Sequence, residues 1–440
     1  MHGTSITERT TCDDYQSCLC LPQCARVGQE RRLSEAMQAE TGGPLQGVRV
    51  LDITTMFSGA FGATMMGDFG ADVIKVELPG RGDTVRGMSP SAKGVPLPWT
   101  TLSRNKRTIT LDIRKPAGRE LLLRLVKESD VLIENFRPGT LDRWDLSYDV
   151  LKAANPGIIV VRVSGYGQTG PYASKAGFGT PATAFSGYTY VSGFPDRPPI
   201  NQPTPLADYV TGLFACIAAL MALYHRDAGA GNGEGQEADI ALYESLFRLI
   251  EAFVPAYDQL GRVPERRGHA METASPVGTY QCGDGGWVVM TASTQPTWER
   301  TAHAIGRPEL IEDERFLTNE LRVKHADELN AILEPWFAAR TRDEAQRIMD
   351  EHGVPLAPIL SIADIFENEQ YKARENIIRV DHPTLGSVAL PGLIPKFSGT
   401  PGAVKHPGPE QPGAFNREVY GELLGLSEDE QRRLAEEGVI

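Results

Sequence analysis

The chain has 440 residues, too many for one ordinary hydrophobic core, and is 41% hydrophobic and 23% charged, a globular composition that predicts two domains. Its net charge of −13 argues against a nucleic-acid or anionic-membrane partner but leaves room for a local cationic pocket. The longest apolar run, Leu213 to Tyr224, is shorter than the roughly 18 residues of a membrane span and suits a buried helix.

Residues 1–44 read as a disordered extension. Four of the six cysteines, Cys12, Cys18, Cys20 and Cys24, crowd into it. Their spacing is not a paired C-x-x-C set and brings no histidine, so no metal is expected. Met37 is an alternative start. Scarce cysteines and no export signal predict a reducing, cytoplasmic location.

The first ordered unit is a strand from Val48 to Ile53, a small-residue loop TTMFSG (54–59), a helix over 60–70 ended by Gly70, and a strand over 73–78. Such a unit crosses over right-handed and makes a parallel sheet. A strand at 108–112, an amphipathic helix from Lys115 to Glu128, and strands at 131–135 and 158–164 continue it. The alternation predicts a doubly wound α/β domain. Residues 173–207 are a long Gly/Pro/Ser/Thr-rich loop, of the kind that carries function. Apolar helices follow over 208–224 and 238–254. A hairpin around Gly283–Gly286 opens a second unit of mostly helical pattern. The boundaries predicted are 45–265 and 346–440 for the large domain and 266–345 for a small α+β domain.

GYGQTG (165–170) matches G-x-G-x-x-G formally, but Pro171 follows at once and no long helix can start there. A nicotinamide or flavin site is therefore not expected. Glu77 ends the second strand where a ribose-binding acid would sit. Arg104, Lys106 and Arg107 flank one strand, and Arg137 and Arg143 surround the FRPG turn. Beside the strand ends of an α/β sheet they would suit a phosphate-bearing ligand. Each is also a common kind of solvated surface charge. Asp208 lies between a small-residue loop and an apolar helix, where it can cap free backbone N–H groups.

GVRVLDIT, FGADVIKVE, NKRTITLD, VLIENFRPGTLDR, SGYGQTGPY and LADYVTG occur in this order. The set resembles the class III CoA-transferases, from about Gly47 to the C-terminus. The resemblance implies a Rossmann-type large domain built from both ends of the chain, a smaller domain, and an interlocked homodimer. It implies Asp208 as covalent nucleophile and Ser58, Lys106, Asn135, Phe136 and Arg143 as CoA contacts. Thr55, Tyr166 and Gln168 would line the substrate side. The resemblance also implies a CoA thioester used as substrate, with no cofactor bound permanently and no metal.

The chemistry implied is attack by Asp208 on an acyl-CoA, with succinyl-CoA or a similar thioester as the expected donor, giving an aspartyl anhydride and then an aspartyl-CoA thioester whose CoA a free acid receives. Departures from the pattern are Thr55 and Phe57 where the family often has His or Gln, and ERRGHAMETASP (265–276) in place of a glycine run. Arg266, Arg267 and His269 could pair with a second carboxylate or be exposed linker charge. Two alternatives stand. An acyl-CoA racemase or epimerase needs an acid/base pair, and racemase relatives carry a His where Phe178 stands. A non-catalytic CoA-binding protein would keep Lys106 and Arg143 without needing Asp208.

Overall fold

The computed structural model describes residues 43–229 and 231–440. The cysteine cluster and Met37 lie outside the described residues. Gly43 already belongs to the fold: it packs against the backbone of Phe69, and Leu45 N–H donates to the Phe69 carbonyl at 2.9 Å.

Six parallel strands form the main sheet: β1 (Arg49–Asp52), β2 (Asp72–Glu77), β3 (Lys106–Thr110), β4 (Val131–Glu134), β5 (Ile159–Ser164) and β6 (Glu237–Ala241). Their spatial order is β3-β2-β1-β4-β5-β6, the Rossmann order, whose switch point falls between β1 and β4. Alternation along each strand feeds two cores. Leu51, Ile74, Ile109 and Leu132 face a layer with Leu121, Leu122 and Leu125 of the helix Pro116–Lys127. Val419, Tyr420, Leu434 and Ile440 complete that layer, so the C-terminal segment covers the same sheet as the first strands. Val50, Val73, Val131 and Val161 face the other layer.

That second layer is led by α1 (Ser58–Asp68) and α2 (Leu206–Asp227). They approach closely because glycines meet. A Cβ at Gly62 would stand 2.8 Å from the Gly212 carbonyl, and one at Gly212 2.6 Å from the Ser58 carbonyl. The helix α2 is 22 residues long and has the length and hydropathy of a membrane span, beyond what the shorter apolar run suggested. Its inner face, with Ala207, Thr211, Ala215, Cys216 and Ala219, is buried on α1 and the sheet.

Residues 238–254 were expected as one helix. Instead β6 takes 237–241, and short helices Leu242–Phe247 and Phe253–Leu260 follow. EADIA alternates exposed and covered residues along a sheet edge, a period-2 signal too short to separate from the helix after it. The second unit has an antiparallel sheet of β7 (Val277–Gln281), β8 (Trp287–Thr291) and β9 (Leu356–Pro358). Its core includes Tyr280, Trp298, Phe337, Met349, Val354 and Leu356. The helical pattern at 341–352 thus packs with the second unit, past the boundary of 345 drawn from sequence.

Candidate active site

Loops leave the C-terminal ends of β1, β4 and β5 at the switch point, where ligands bind in open α/β sheets. There a cavity of about 430 Å³ holds Thr55, Ser58, Asn135, Ser164, Gly165, Phe178, Gly179, Gln202, Thr204 and Asp208 among its walls. Thr55 also lines a second cavity of about 240 Å³, walled by Leu78, Ile113, Arg114, Phe136 and Trp144. The two spaces therefore meet at the loop after β1.

Asp208 is not the helix cap. Pro205 is the cap residue, and Asp208 stands in the first turn of α2. Its carboxylate faces the cavity, and among the described residues no side-chain donor or cation holds it. Burial pushes its carboxyl up to about 6, because the charged form loses water without gaining a counter-ion. Phe178 and Gly179 reach the cavity because the backbone crosses itself behind them: a Cβ on Gly165 would stand 2.5 Å from Gly177 Cα. The first glycine of GYGQTG serves this crossing.

The loop after β1 is held in detail. Thr55 N–H donates to Asn135 Oδ1 at 2.8 Å, and Asn135 Nδ2 donates back to the Thr55 carbonyl at 2.6 Å. Asn135 Nδ2 also lies 3.4 Å from Ser58 Oγ. Met56 sits at φ 63°, a left-handed conformation costly for a side-chain-bearing residue. Phe136 N–H donates to Glu134 Oε2 at 2.7 Å. Burial raises the Glu134 carboxyl to about 7. Phe136 packs edge-on against Trp144 at 5.2 Å.

Lys106 does not reach the cavity. It is fully buried, and its Nζ donates to Asp52 Oδ2 at 2.9 Å and to the Ala60 carbonyl at 2.7 Å. Burial, reinforced by the neighbouring Lys75 charge, lowers its pKa despite Asp52. Lys75 pairs with Asp52 at 3.4 Å and Asp83 at 3.2 Å and donates to the Thr54 carbonyl. Asp52 also accepts from Thr54 N–H at 3.0 Å. Two lysines and two aspartates thus grip both ends of residues 54–60 from below. The Asp52 carboxyl is held far below its ordinary range; burial alone would raise it, and Lys106 and Lys75 override that.

The other cations at this strand are also neutralised. Arg104 pairs with Asp68 at 2.6 Å, and Arg107 with Asp72 and Glu418 at 2.7 Å each. The sequence could not place these carboxylates, which come from other elements. The three cations enter β3 at its N-terminal end, opposite the loops that line the cavity. Glu77 is likewise committed, accepting from Arg86 Nε at 2.6 Å and Asp83 N–H at 2.9 Å. Arg137 and Arg143 remain exposed. Arg143 donates to Thr140 Oγ1 at 2.8 Å and has no carboxylate partner among the described residues.

Tyr166 and Gln168, expected on the substrate side, are not among the cavity walls. The turn at Gly167, φ 86°, sends Tyr166 into an aromatic cluster with Tyr172, Phe185 and Tyr243, 5.2 Å from the Phe185 ring. Gln168 N–H donates to Asp239 Oδ2 at 2.8 Å. Arg266, Arg267 and His269 do not line the cavity within one chain. Arg266 donates to the Tyr190 carbonyl, Arg267 pairs with Glu272, and His269 lies against Phe194. Sequence reading missed Gly179, which opens a short helix, and Gln202 and Thr204, which sit in a loop; none of the three carries a spacing signal.

The comparisons agree with this architecture. The model of CoA-transferase family III matches residues 45–413. The succinyl-CoA–D-citramalate CoA-transferase of Chloroflexus aurantiacus is 42% identical over 398 residues, covering 90% of this chain and 98% of its own. The formyl-CoA:oxalate CoA-transferase of Streptomyces coelicolor is 32% identical, over 91% of this chain and 100% of its own. A CAIB/BAIF family protein from Brucella suis superposes with a TM-score of 0.76 at 34% identity, covering 87% of this chain and 100% of that one. With the family model spanning the sheet, the cavity and Asp208, the chain belongs to CoA-transferase family III.

Proposed function

We propose that this enzyme moves CoA from an acyl-CoA donor, succinyl-CoA or a close equivalent, to a free carboxylic acid, with Asp208 as covalent nucleophile. One observation carries the reading. A carboxylate without a counter-ion among the described residues lies at the switch-point crevice, and burial holds its carboxyl at about 6. It is largely ionised at neutral pH yet more basic than an ordinary aspartate, as a nucleophile toward a thioester should be.

The steps follow from that carboxylate. An Asp208 oxygen bonds to the acyl carbon, the carbon–sulfur bond breaks, and CoA leaves as thiolate. The thiolate attacks the aspartyl carbonyl and releases the donor acid, leaving an aspartyl-CoA thioester. The acceptor carboxylate then runs the sequence in reverse. No general base is required, since both acids enter ionised, and the cavity must exclude water to protect the anhydride. Thr55 and Ser58 would lie beside the thioester. Phe136 and Trp144 would wall the cofactor's far end, with Arg143 placed for its phosphates. No permanently bound cofactor is needed.

Further features belong to the same reading. An exposed stripe on α2, Leu213, Ile217, Leu220, Met221 (67% exposed) and Tyr224 (76%), has the spacing of one helix face and supports burial against a second copy of this chain. Names of relatives that include subunits, as for the succinyl-CoA–L-malate CoA-transferase of Chloroflexus aurantiacus at 42% identity, point the same way. We place the enzyme in the cytoplasm. A racemase is disfavoured because the wall beside Asp208 offers Phe178, not a titratable partner. A non-catalytic binder would not require a destabilising buried carboxylate.

The test is succinyl-CoA with a panel of carboxylic acids. Asp208→Ala is expected to abolish CoA exchange while still binding CoA. Hydroxylamine should attack the activated Asp208 carbonyl during turnover, expelling the donor acid or CoA and leaving an Asp208 hydroxamate on the parent. Exchange retained by Asp208→Ala would remove the assignment.

A further inference from the structure

We infer that Gly179 is a positioning residue of the reaction, because the space a side chain would fill there is the space the Asp208 carboxylate occupies. The inference rests on Asp208 being the nucleophile and deepens that reading.

Gly179 is the first residue of a seven-residue helix, Gly179–Phe185. A Cβ built on it would stand 1.9 Å from Asp208 Oδ2, 3.0 Å from Cγ and 3.6 Å from Oδ1. These three nearest atoms all belong to Asp208. Its φ lies outside the left-handed region, so the backbone itself would accept alanine. The demand for glycine at 179 comes from the carboxylate alone.

The order of the distances carries a second consequence. Oδ2 is the oxygen pressed toward Gly179, and Oδ1 stands farther away. Among the described residues no side-chain donor or cation fixes this carboxylate, which takes only a hydrogen bond from its own backbone N–H, so packing against Gly179 decides which oxygen is held away from the cavity. The geometry then assigns Oδ1 as the attacking oxygen. Oδ1 bonds to the acyl carbon, the carbon–sulfur bond breaks with its electron pair leaving on sulfur, and Oδ2 becomes the aspartyl carbonyl oxygen of the anhydride. A methyl at 179 would drive the carboxylate out of this pose. Displacing a reacting group by an ångström costs on the order of 100-fold in rate.

The experiment is Gly179→Ala assayed with succinyl-CoA and the best acceptor from the panel. The expected result is a kcat lower by about 100-fold, with the KM for the thioester and the thermal midpoint close to the parent's and less hydroxylamine-trapped adduct at Asp208. Asp208→Ala and the double variant Gly179→Ala/Asp208→Ala complete a cycle. With the carboxylate gone the methyl has nothing to meet, so the double variant should melt with the Asp208→Ala single variant. A kcat within threefold of the parent overturns the inference. So does a loss of stability from Gly179→Ala that persists when Asp208 is already alanine. If Gly179→Ala is normal while Asp208→Ala is dead, only the role of Gly179 falls. If Asp208→Ala still exchanges CoA, the nucleophile falls first.

Discussion

Asp208 illustrates a conflict between stability and chemistry at a single residue. Its folded carboxyl titrates at about 6, against an ordinary 3.8, because burial disfavours the charge. A carboxyl raised on folding favours the native state when protonated. Its favourable contribution is complete below about pH 4 and is lost as pH rises through 6. At pH 7.5 the ionised group therefore costs up to about 3 kcal/mol. Asp208→Asn should raise the denaturation midpoint at pH 7.5 and show no such gain at pH 4, as urea titrations at both values would reveal. The same titration should shape catalysis: kcat is expected to fall tenfold per pH unit below about 6, as the nucleophile protonates. A flat profile from pH 7 to 5 would count against the assignment. The sequence made Asp208 legible through LADYVTG, but that no counter-ion reaches it among the described residues is a fact of three dimensions.

At the scale of elements, the loop after β1 is the part whose shape is most constrained. It is clipped by Asn135, the residue just past β4, and gripped from below by Lys75, Lys106 and Asp52. Burying so many charges is costly unless each finds its partner, and removing one partner of a buried pair costs roughly 3–5 kcal/mol. Lys106→Met should therefore lower the denaturation midpoint sharply and reduce kcat/KM through a loosened loop. Were Lys106 a phosphate contact, it would raise the thioester KM and leave stability alone. Arg143→Ala is the contrasting case. Arg143 is exposed and has no carboxylate partner among the described residues, so its loss should raise the thioester KM several-fold, with a weaker dependence on salt, and leave the midpoint within about 0.5 kcal/mol of the parent. Composition placed both cations in motifs. It could not tell them apart, because whether a lysine meets a ligand or Asp52 depends on which edge of the sheet its strand enters.

At the scale of the molecule, a 22-residue helix covers the sheet on one side and shows an apolar stripe on the other. A stripe that holds Met221 at 67% and Tyr224 at 76% exposure is a costly surface for a lone chain. If the proposed pairing of two copies uses this stripe, Met221→Glu combined with Tyr224→Glu should convert a sedimenting dimer to monomer in analytical ultracentrifugation. A parent that sediments as a monomer would dispose of the dimer. The positions of Arg266, Arg267 and His269, away from the cavity of their own chain, make the same experiment informative about where a second carboxylate could find a cation.

The sequence by itself determined the alternating α/β order, the parallel sheet, the nucleophile candidate and the loop motifs. Hydrophobic period, glycine stops and motif order are local properties, written in neighbouring residues. For the same reason it placed a hairpin around Gly283–Gly286 and a helix from Lys115 to Glu128, where the structure has strands 277–281 and 287–291 and a helix over 116–127. Only the tertiary structure decided that the strand order puts the switch point between Asp52 and Glu134, and that 237–241 is the sixth strand. It also decided that Lys106 is a buried strut, that Tyr166 faces an aromatic cluster, and that Gly179 makes room for Asp208. Each of those depends on a partner from a distant segment, and close packing and charge pairing are set by what the fold brings together.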